Sequence, residues 1–229
     1  EMSASLVGSE MCIRDSVMDQ SARNRWVFRM IHYQNLEFIL KHGIVSKYKE
    51  NNPEYIRIGA PDLISLRDEY RVGIDPPGGT LGEFIPFYFA GHSPMLYKIK
   101  TGNGVRSYPQ EDIIFICCKI GKIIDFTNEW CFTDGHAKSR ITEFYNDLIY
   151  LSRIDWDTVN ALHWNNTFED MDRCRKKQAE FLVKDFLPVS CIGCLGVRNE
   201  ERKVDVKLIL ESLNLNIPIY VDNNRLYYE

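Results

Sequence analysis

Apolar and polar positions change period several times along the chain, and each change predicts an element. Trp26 to Ile31 is a run of strand formers. Asn35 then opens a short amphipathic helix, with Leu36, Ile39 and Leu40 on one face and Gly43 as the stop signal. Residues 46 to 80 hold few periodic apolar positions. They carry turn chemistry at Asn51-Asn52-Pro53 and Asp75-Pro76-Pro77-Gly78-Gly79. A connection that long and irregular is expected to be functional or mobile. Phe84 to Ala90 is a continuous apolar run, which predicts a buried strand, and Pro86 within it points to an edge or a bulge. Ser93-Pro94 starts a short element through Lys98. Ile113 to Ile120 and Lys122 to Phe126 flank Gly121 and predict a hairpin.

Beyond that point the period becomes helical. Ile141, Phe144, Tyr145, Leu148 and Ile149 predict a helix over Lys138 to Arg153. A second short helix, Trp156 to Trp164, follows Asp155 as N-cap, and Asn165 to Asp172 is a polar loop. Ala179, Phe181 and Val183 alternate with Gln178, Glu180 and Leu182, which predicts a strand. Val206, Ile209, Leu210 and Leu213 form one stripe of a helix over Glu200 to Leu213. Pro218 to Asp222 and Leu226 to Tyr228 predict closing strands around an Asn223-Asn224 turn. Together these elements give an α+β fold in which short helices flank mixed or antiparallel sheets. Residues 1–20 lack both this patterning and the layout of a signal peptide, so they are expected to be a non-native or disordered leader. Residues 21–229 are expected to be one domain.

Composition narrows the picture. A chain of 229 residues can bury a sizeable core without staples. Its 28 basic and 32 acidic side chains leave a net charge of −4, which argues against indiscriminate binding to nucleic acid but permits a local basic groove. No run approaches a membrane span. Seven cysteines form no framework, and Cys117 and Cys118 sit in an apolar run, so the expected compartment is the reducing cytoplasm. Cys191-x-x-Cys194 lacks a second pair at zinc spacing, so no metal is expected, and a redox role for this pair is a rival reading.

The most informative residue is Glu180. Gln178 and Glu180 stand two apart on the expected strand and so point the same way, just after the basic run Arg173, Arg175, Lys176 and Lys177. A fixed carboxylate beside an amide suits the oxocarbenium-like transition state of NAD⁺ cleavage, in which nicotinamide leaves without much acid catalysis. The bland alternative is a solvated strand face. His32 and Asn35 meet at a strand-to-helix junction, where they could grip ribose and carboxamide or simply cap the helix and fill a core edge. Arg67 or Arg71 could clamp a pyrophosphate. Phe87-Tyr88-Phe89 could stack on a base or belong to the core. His136 could accept a proton or merely start a helix.

These pieces line up in order with one family. The sequence resembles DarT-type DNA ADP-ribosyltransferase toxins in six blocks between about Trp26 and Tyr228. They are Ile31-His32-Tyr33-Gln34-Asn35-Leu36 with Ile39 and Gly43; Ile85 to Phe89 with Ser93-Pro94-Met95-Leu96-Tyr97; Phe132 to Ala137; Phe144 to Leu148; Asp155-Trp156; and Asp172-Arg173 through Val183, followed by Gly196-Val197. The resemblance implies a split mixed β core around an NAD⁺ cleft. It implies transfer of ADP-ribose from NAD⁺, as substrate, onto a base of single-stranded DNA, typically thymidine, and a macrodomain antitoxin as partner. By the same matching, Glu180 is the catalytic glutamate, with His136 as a further candidate base. His32, Asn35, Arg67 (or Arg71) and Tyr88 belong to the NAD⁺ site. Met95, Arg173, Arg175 and Lys177 are assigned to the DNA path. Cys174 and two lysines depart from the family's longer arginine run there. The alternatives are an ADP-ribosyltransferase acting on RNA or protein, and a catalytically silent single-strand-binding module.

Overall fold

A computed structural model describes residues 20–222 and 225–229. The expected leader therefore lies outside the described residues apart from Gln20, as does the Asn223-Asn224 turn. Among the described residues ten strands are formed: β1 (Trp26–His32), β2 (Ile44–Val45), β3 (Phe84–Tyr88), β4 (Ile113–Lys119), β5 (Trp130–Thr133), β6 (Phe144–Tyr145), β7 (Glu180–Lys184), β8 (Phe186–Leu187), β9 (Ile192–Val197) and β10 (Ile219–Val221). The helices are α1 (Leu36–His42), α2 (Pro61–Arg67), α3 (Pro94–Thr101), α4 (Ile120–Phe126), α5 (Trp156–Asn160), α6 (Arg173–Lys176) and α7 (Glu200–Ser212), with short 3₁₀ turns between. The fold is α+β, as the patterning predicts.

Eight strands make one mixed sheet in the order β10-β9-β4-β1-β3-β7-β5-β6, and β2 pairs with β8 apart from it. The sheet is two zipped halves. On one side β1 runs against β4 from Trp26↔Lys119 to His32↔Ile113. On the other, β3 runs against β7 from Phe84↔Lys184 to Tyr88↔Glu180. Between the halves β1 and β3 share only the Phe28↔Tyr88 pair. Beyond it the strands part, and the Arg29 guanidinium donates across the gap to the Pro86 carbonyl at 3.2 Å. Pro86 is thus neither at an outer edge nor at a bulge, as its residue type suggests. It lies on the side of β3 that faces the gap, where a missing N–H costs no ladder bond to β1.

Other differences have similar physical causes. The hairpin expected about Gly121 is instead strand β4 followed by helix α4. Ile120 and Ile123 are both buried, three residues apart, which is helical rather than alternating spacing. The helix expected over Lys138 to Arg153 does not form. Ile141 and Ile149 are 67% and 60% exposed. Phe144 and Tyr145 pair with β5 instead, where Tyr145 stacks on Phe132 at 5.3 Å. Long-range pairing overrides local periodicity there. The helix after Asp155 stops at Asn160, with the Asp155 side chain accepting from Thr158 N. Leu226 to Tyr228 is not a strand, but Leu226 and Tyr227 are buried, and the Tyr227 hydroxyl donates to the Ile113 carbonyl at 2.8 Å. The irregular segment 46–80 holds an unforeseen helix, α2, with Pro61 in its first turn and Arg67 in its last.

Candidate active site

The gap between the half-sheets continues into a cleft lined by β1, β3 and β7 and roofed by residues 45–60 and α2. Asn35 ties down the roof. Its side chain donates to the Ile56 carbonyl at 2.7 Å and accepts from Ile56 N at 2.9 Å. It therefore serves the cleft and makes no side-chain cap for α1. His32 behaves as the bland reading has it. It is buried, its Nδ1 accepts from Gln34 N at 3.3 Å, and it packs edge-on to Tyr108. It does not line the cleft.

Glu180 opens β7 at the cleft floor and is only 2% exposed. Its carboxylate is held on both oxygens. Oε2 accepts from Arg67 at 3.0 Å, and Oε1 accepts from the backbone N–H of Ala137 at 3.2 Å. Its own N–H donates to Thr133 Oγ1 at 3.0 Å, and that hydroxyl donates to the Gly135 carbonyl at 2.7 Å. Two bonds leave lone pairs free on both oxygens for hydroxyls of a bound sugar. The second terminal nitrogen of Arg67 is buried with no protein partner, so this arginine keeps a donor in reserve. Arg71 lies elsewhere, in a surface groove beside Tyr70 and Phe144.

Tyr88 stands opposite Glu180 in the β3–β7 register. Burial, and then the charge of Glu180, push its phenol up, so it is a protonated donor. Met95, on the first turn of α3, lines the same cleft rather than a separate surface. His136 also lines it. Burial lowers its pKa, against the opposing pull of Glu180, and favours the neutral ring. Its Nδ1 accepts from Lys138 N at 3.2 Å, which leaves the proton on Nε2. In this geometry His136 presents a donor to the cleft, where a base is expected from the sequence.

Gln178 does not stand beside Glu180. It precedes the strand, and its amide donates to the Cys174 carbonyl at 2.9 Å. The basic run is likewise not an open path. Arg175 donates to Asp172 at 2.7 Å and to Asp134 at 2.9 Å, and its guanidinium covers Gly135 so closely that an added Cβ would sit 2.3 Å from it. Lys177 is buried and donates to the Val159 and Ala161 carbonyls at 2.7 and 2.8 Å. Arg173 donates to the His163 carbonyl at 2.8 Å, and Lys176 pairs with Asp170 at 2.9 Å. Arg175 and Lys177 therefore buttress the fold, which corrects their expected exposure to DNA. Sequence reasoning missed Thr133, the Ala137 N–H and Arg29. Backbone donors leave no trace in residue types, and a threonine inside a strand is no signal by itself. Cys191 and Cys194 do not pair with each other: Cys194 faces Cys117 across β4, and the Cys191 thiol donates to the Lys122 carbonyl at 3.4 Å. Among the described residues no His, Cys, Asp or Glu group could hold a metal, and no helix is long and apolar enough to cross a membrane.

A sheet parted along one seam, with a buried carboxylate at the seam's floor, is compatible with the ADP-ribosyltransferase class that the sequence resembles. Similar solved structures agree. The chain matches "Thermus sp. 2.9 DarT in complex with ADP-ribosylated ssDNA" with a TM-score of 0.82 at 27% identity, over 90% of this chain and 97% of that one. It matches the same protein's NAD⁺ complex with a TM-score of 0.78, over 90% and 98%. A DNA ADP-ribosyl transferase of Escherichia coli O127:H6 is 30% identical over 85% of this chain and 89% of its own length. One of Thermus aquaticus is 32% identical over 80% of each. The family model "DarT: ssDNA thymidine ADP-ribosyltransferase" matches residues 28–228, and the chain belongs to this family of NAD-dependent DNA ADP-ribosyltransferases.

Proposed function

We propose that this protein transfers ADP-ribose from NAD⁺ to thymidine in single-stranded DNA, with Glu180 as its catalytic carboxylate. One observation carries the residue assignment: a buried carboxylate clamped by Arg67 and the Ala137 N–H, facing a cleft with Tyr88, His136 and Met95 around it. NAD⁺ lies in the seam with its pyrophosphate near the spare donor of Arg67 and its nicotinamide against Tyr88. The bond from the ribose anomeric carbon to the nicotinamide nitrogen breaks, and its electron pair leaves with nicotinamide. Glu180 stabilises the positive charge left on the ribose. A thymine ring nitrogen then bonds to the anomeric carbon, and its proton passes to Glu180. His136 donates from Nε2 and so orients rather than deprotonates. The reacting edge must be unpaired, which favours a single strand.

Family membership further supports a toxin countered by a macrodomain antitoxin that removes the mark, acting in the cytoplasm. The test is direct. The protein is incubated with NAD⁺ and, separately, with thymidine-containing DNA, thymidine-free DNA, RNA and protein, and adducts are read by mass spectrometry. ADP-ribose confined to thymidine-containing DNA is the expected result. An adduct on another acceptor, or nicotinamide release without any adduct, overturns the reading.

A further inference from the structure

A second cavity, of about 410 Å³, opens at the sheet end that carries Tyr88 and Glu180. That volume is within the range of small-molecule subsites. Its wall includes Arg25, Lys177 and Arg225 together with Trp26, Phe28 and Trp156, and no acidic side chain. None of the three cations has an ion pair among the described residues, whereas Arg175 and Lys176 nearby each bind two carboxylates. Arg25 is exposed, and its guanidinium carbon sits over the Trp156 ring, 3.9 Å from the centroid. Lys177 is only 4% exposed, and two backbone carbonyls take two of its protons. Burial lowers the pKa of Lys177 to about 8, as befits a cation held without a counter-ion. His92, on the same wall, is also pushed toward its neutral form by burial, although its bond to the Tyr227 carbonyl opposes this.

The position of the cavity identifies its occupant. Phe89 to His92 follow Tyr88 directly, and Lys177 lies three residues before Glu180, so the cavity is walled by the segments that run on from the two strands carrying Tyr88 and Glu180 into the cleft. A guanidinium seated over an indole stacks with a nucleobase, and a cation beside it without an ion pair takes a phosphate. We propose that this cavity is the subsite for a nucleotide of the acceptor strand adjoining the modified one, with its base on the Arg25–Trp156 stack and its phosphate at Arg225. The inference rests on the reading of single-stranded DNA as acceptor.

Arg25→Ala and Arg225→Ala test it by fluorescence anisotropy with a thymidine-containing oligonucleotide across a salt series. Each variant should bind the oligonucleotide about tenfold more weakly, and each lost phosphate contact should flatten the salt slope by about 0.7. Affinity for NAD⁺, and for the mononucleotide thymidine monophosphate, which reaches only the reaction cleft, should not change. Arg225 is exposed, so its variant remains informative if Arg25→Ala does not fold. Oligonucleotide affinity equal to the parent's in Arg225→Ala overturns the subsite. So does competition by inorganic phosphate as effective as that by oligonucleotide. A parent protein that neither binds nor modifies DNA overturns the acceptor reading itself, and the two failures are thereby separable.

Discussion

Two clusters of charge lie close together in this fold and behave in opposite ways. In the cleft, Arg67 and Glu180 satisfy each other only in part: the carboxylate has lone pairs left, and one guanidinium nitrogen is buried without a partner. In the run from Arg173 to Lys177, every cation donates to an internal acceptor. Both places carry charged side chains, yet only the first keeps a donor and lone pairs for a ligand. Charge in a sequence reports capacity. Only the partners reveal whether that capacity is spent. The second cluster still serves the first: the Arg175 carbonyl accepts from His136 N at 2.9 Å, and its guanidinium pins Asp134. It thus fixes the loop whose Ala137 N–H holds Glu180.

The comparison breaks most sharply at Glu180. Glu180→Gln keeps the shape and removes the charge that faces the ribose. Transfer should fall on the order of 10²–10³-fold or more, while Tm stays near the parent's. Single-turnover nicotinamide release measures the loss, and a variant that turns over like the parent would remove Glu180 from the mechanism. Next in size is Arg175→Ala, which strands two carboxylates. Its side chain is 13% exposed, so the loss should be about 3 kcal/mol of stability, read by urea denaturation. Turnover should also fall, because the Ala137 clamp loosens. The salt slope of DNA binding should not move, since no phosphate contact is lost. A flattened slope with unchanged stability would return Arg175 to the DNA path.

Much of this was legible in the chain. Strand β1, helix α1 with its Gly43 stop, the apolar β4 run and the α7 stripe follow from periodicity, because each buries one consistent face. Glu180 stood out through its place after a polar loop and through the family blocks. What stayed hidden depends on distant partners. The seam is set by pairing that lapses after Phe28↔Tyr88, which no local pattern encodes. Phe144 and Tyr145 follow a helical period but are claimed by β5. Arg175 and Lys177 look like a nucleic-acid patch until Asp134 and the Val159 carbonyl arrive from elsewhere in the chain.

Lys177 sharpens the same contrast through pH. Burial lowers its pKa in the fold to about 8, from the 10.5 of a free lysine. Between those values the unfolded chain binds more protons than the folded one, so this group's contribution makes stability rise with pH across that window. From pH 7.5 to 10 the gain should be about 2 kcal/mol. Lys177→Met fills a similar volume but cannot titrate. The parent's stability relative to this variant should therefore increase over that range, on top of a constant loss from two carbonyls left without donors. A pH-independent difference between the two would show that Lys177 stays charged throughout.

The smallest expected effect separates the two arginines of the irregular segment. Arg67 ends α2, is 18% exposed, and reaches Glu180 with one nitrogen while the other is held in reserve. Arg71 is joined to Thr80 by an isolated backbone bridge, and its side chain lines a different groove. If a spare buried donor is what marks a ligand-binding arginine, only Arg67 qualifies. Arg67→Ala should weaken NAD⁺ about tenfold, the worth of one hydrogen bond to a charged group. Arg71→Ala should bind NAD⁺ as the parent does. Carba-NAD⁺ titration by calorimetry, with the glycosidic bond protected from cleavage, measures both without turnover. Equal losses in the two variants would mean that the pyrophosphate spans both sites and that an unpaired donor is not the distinguishing mark. A loss in Arg71→Ala alone would move the cofactor out of the seam and detach it from Glu180.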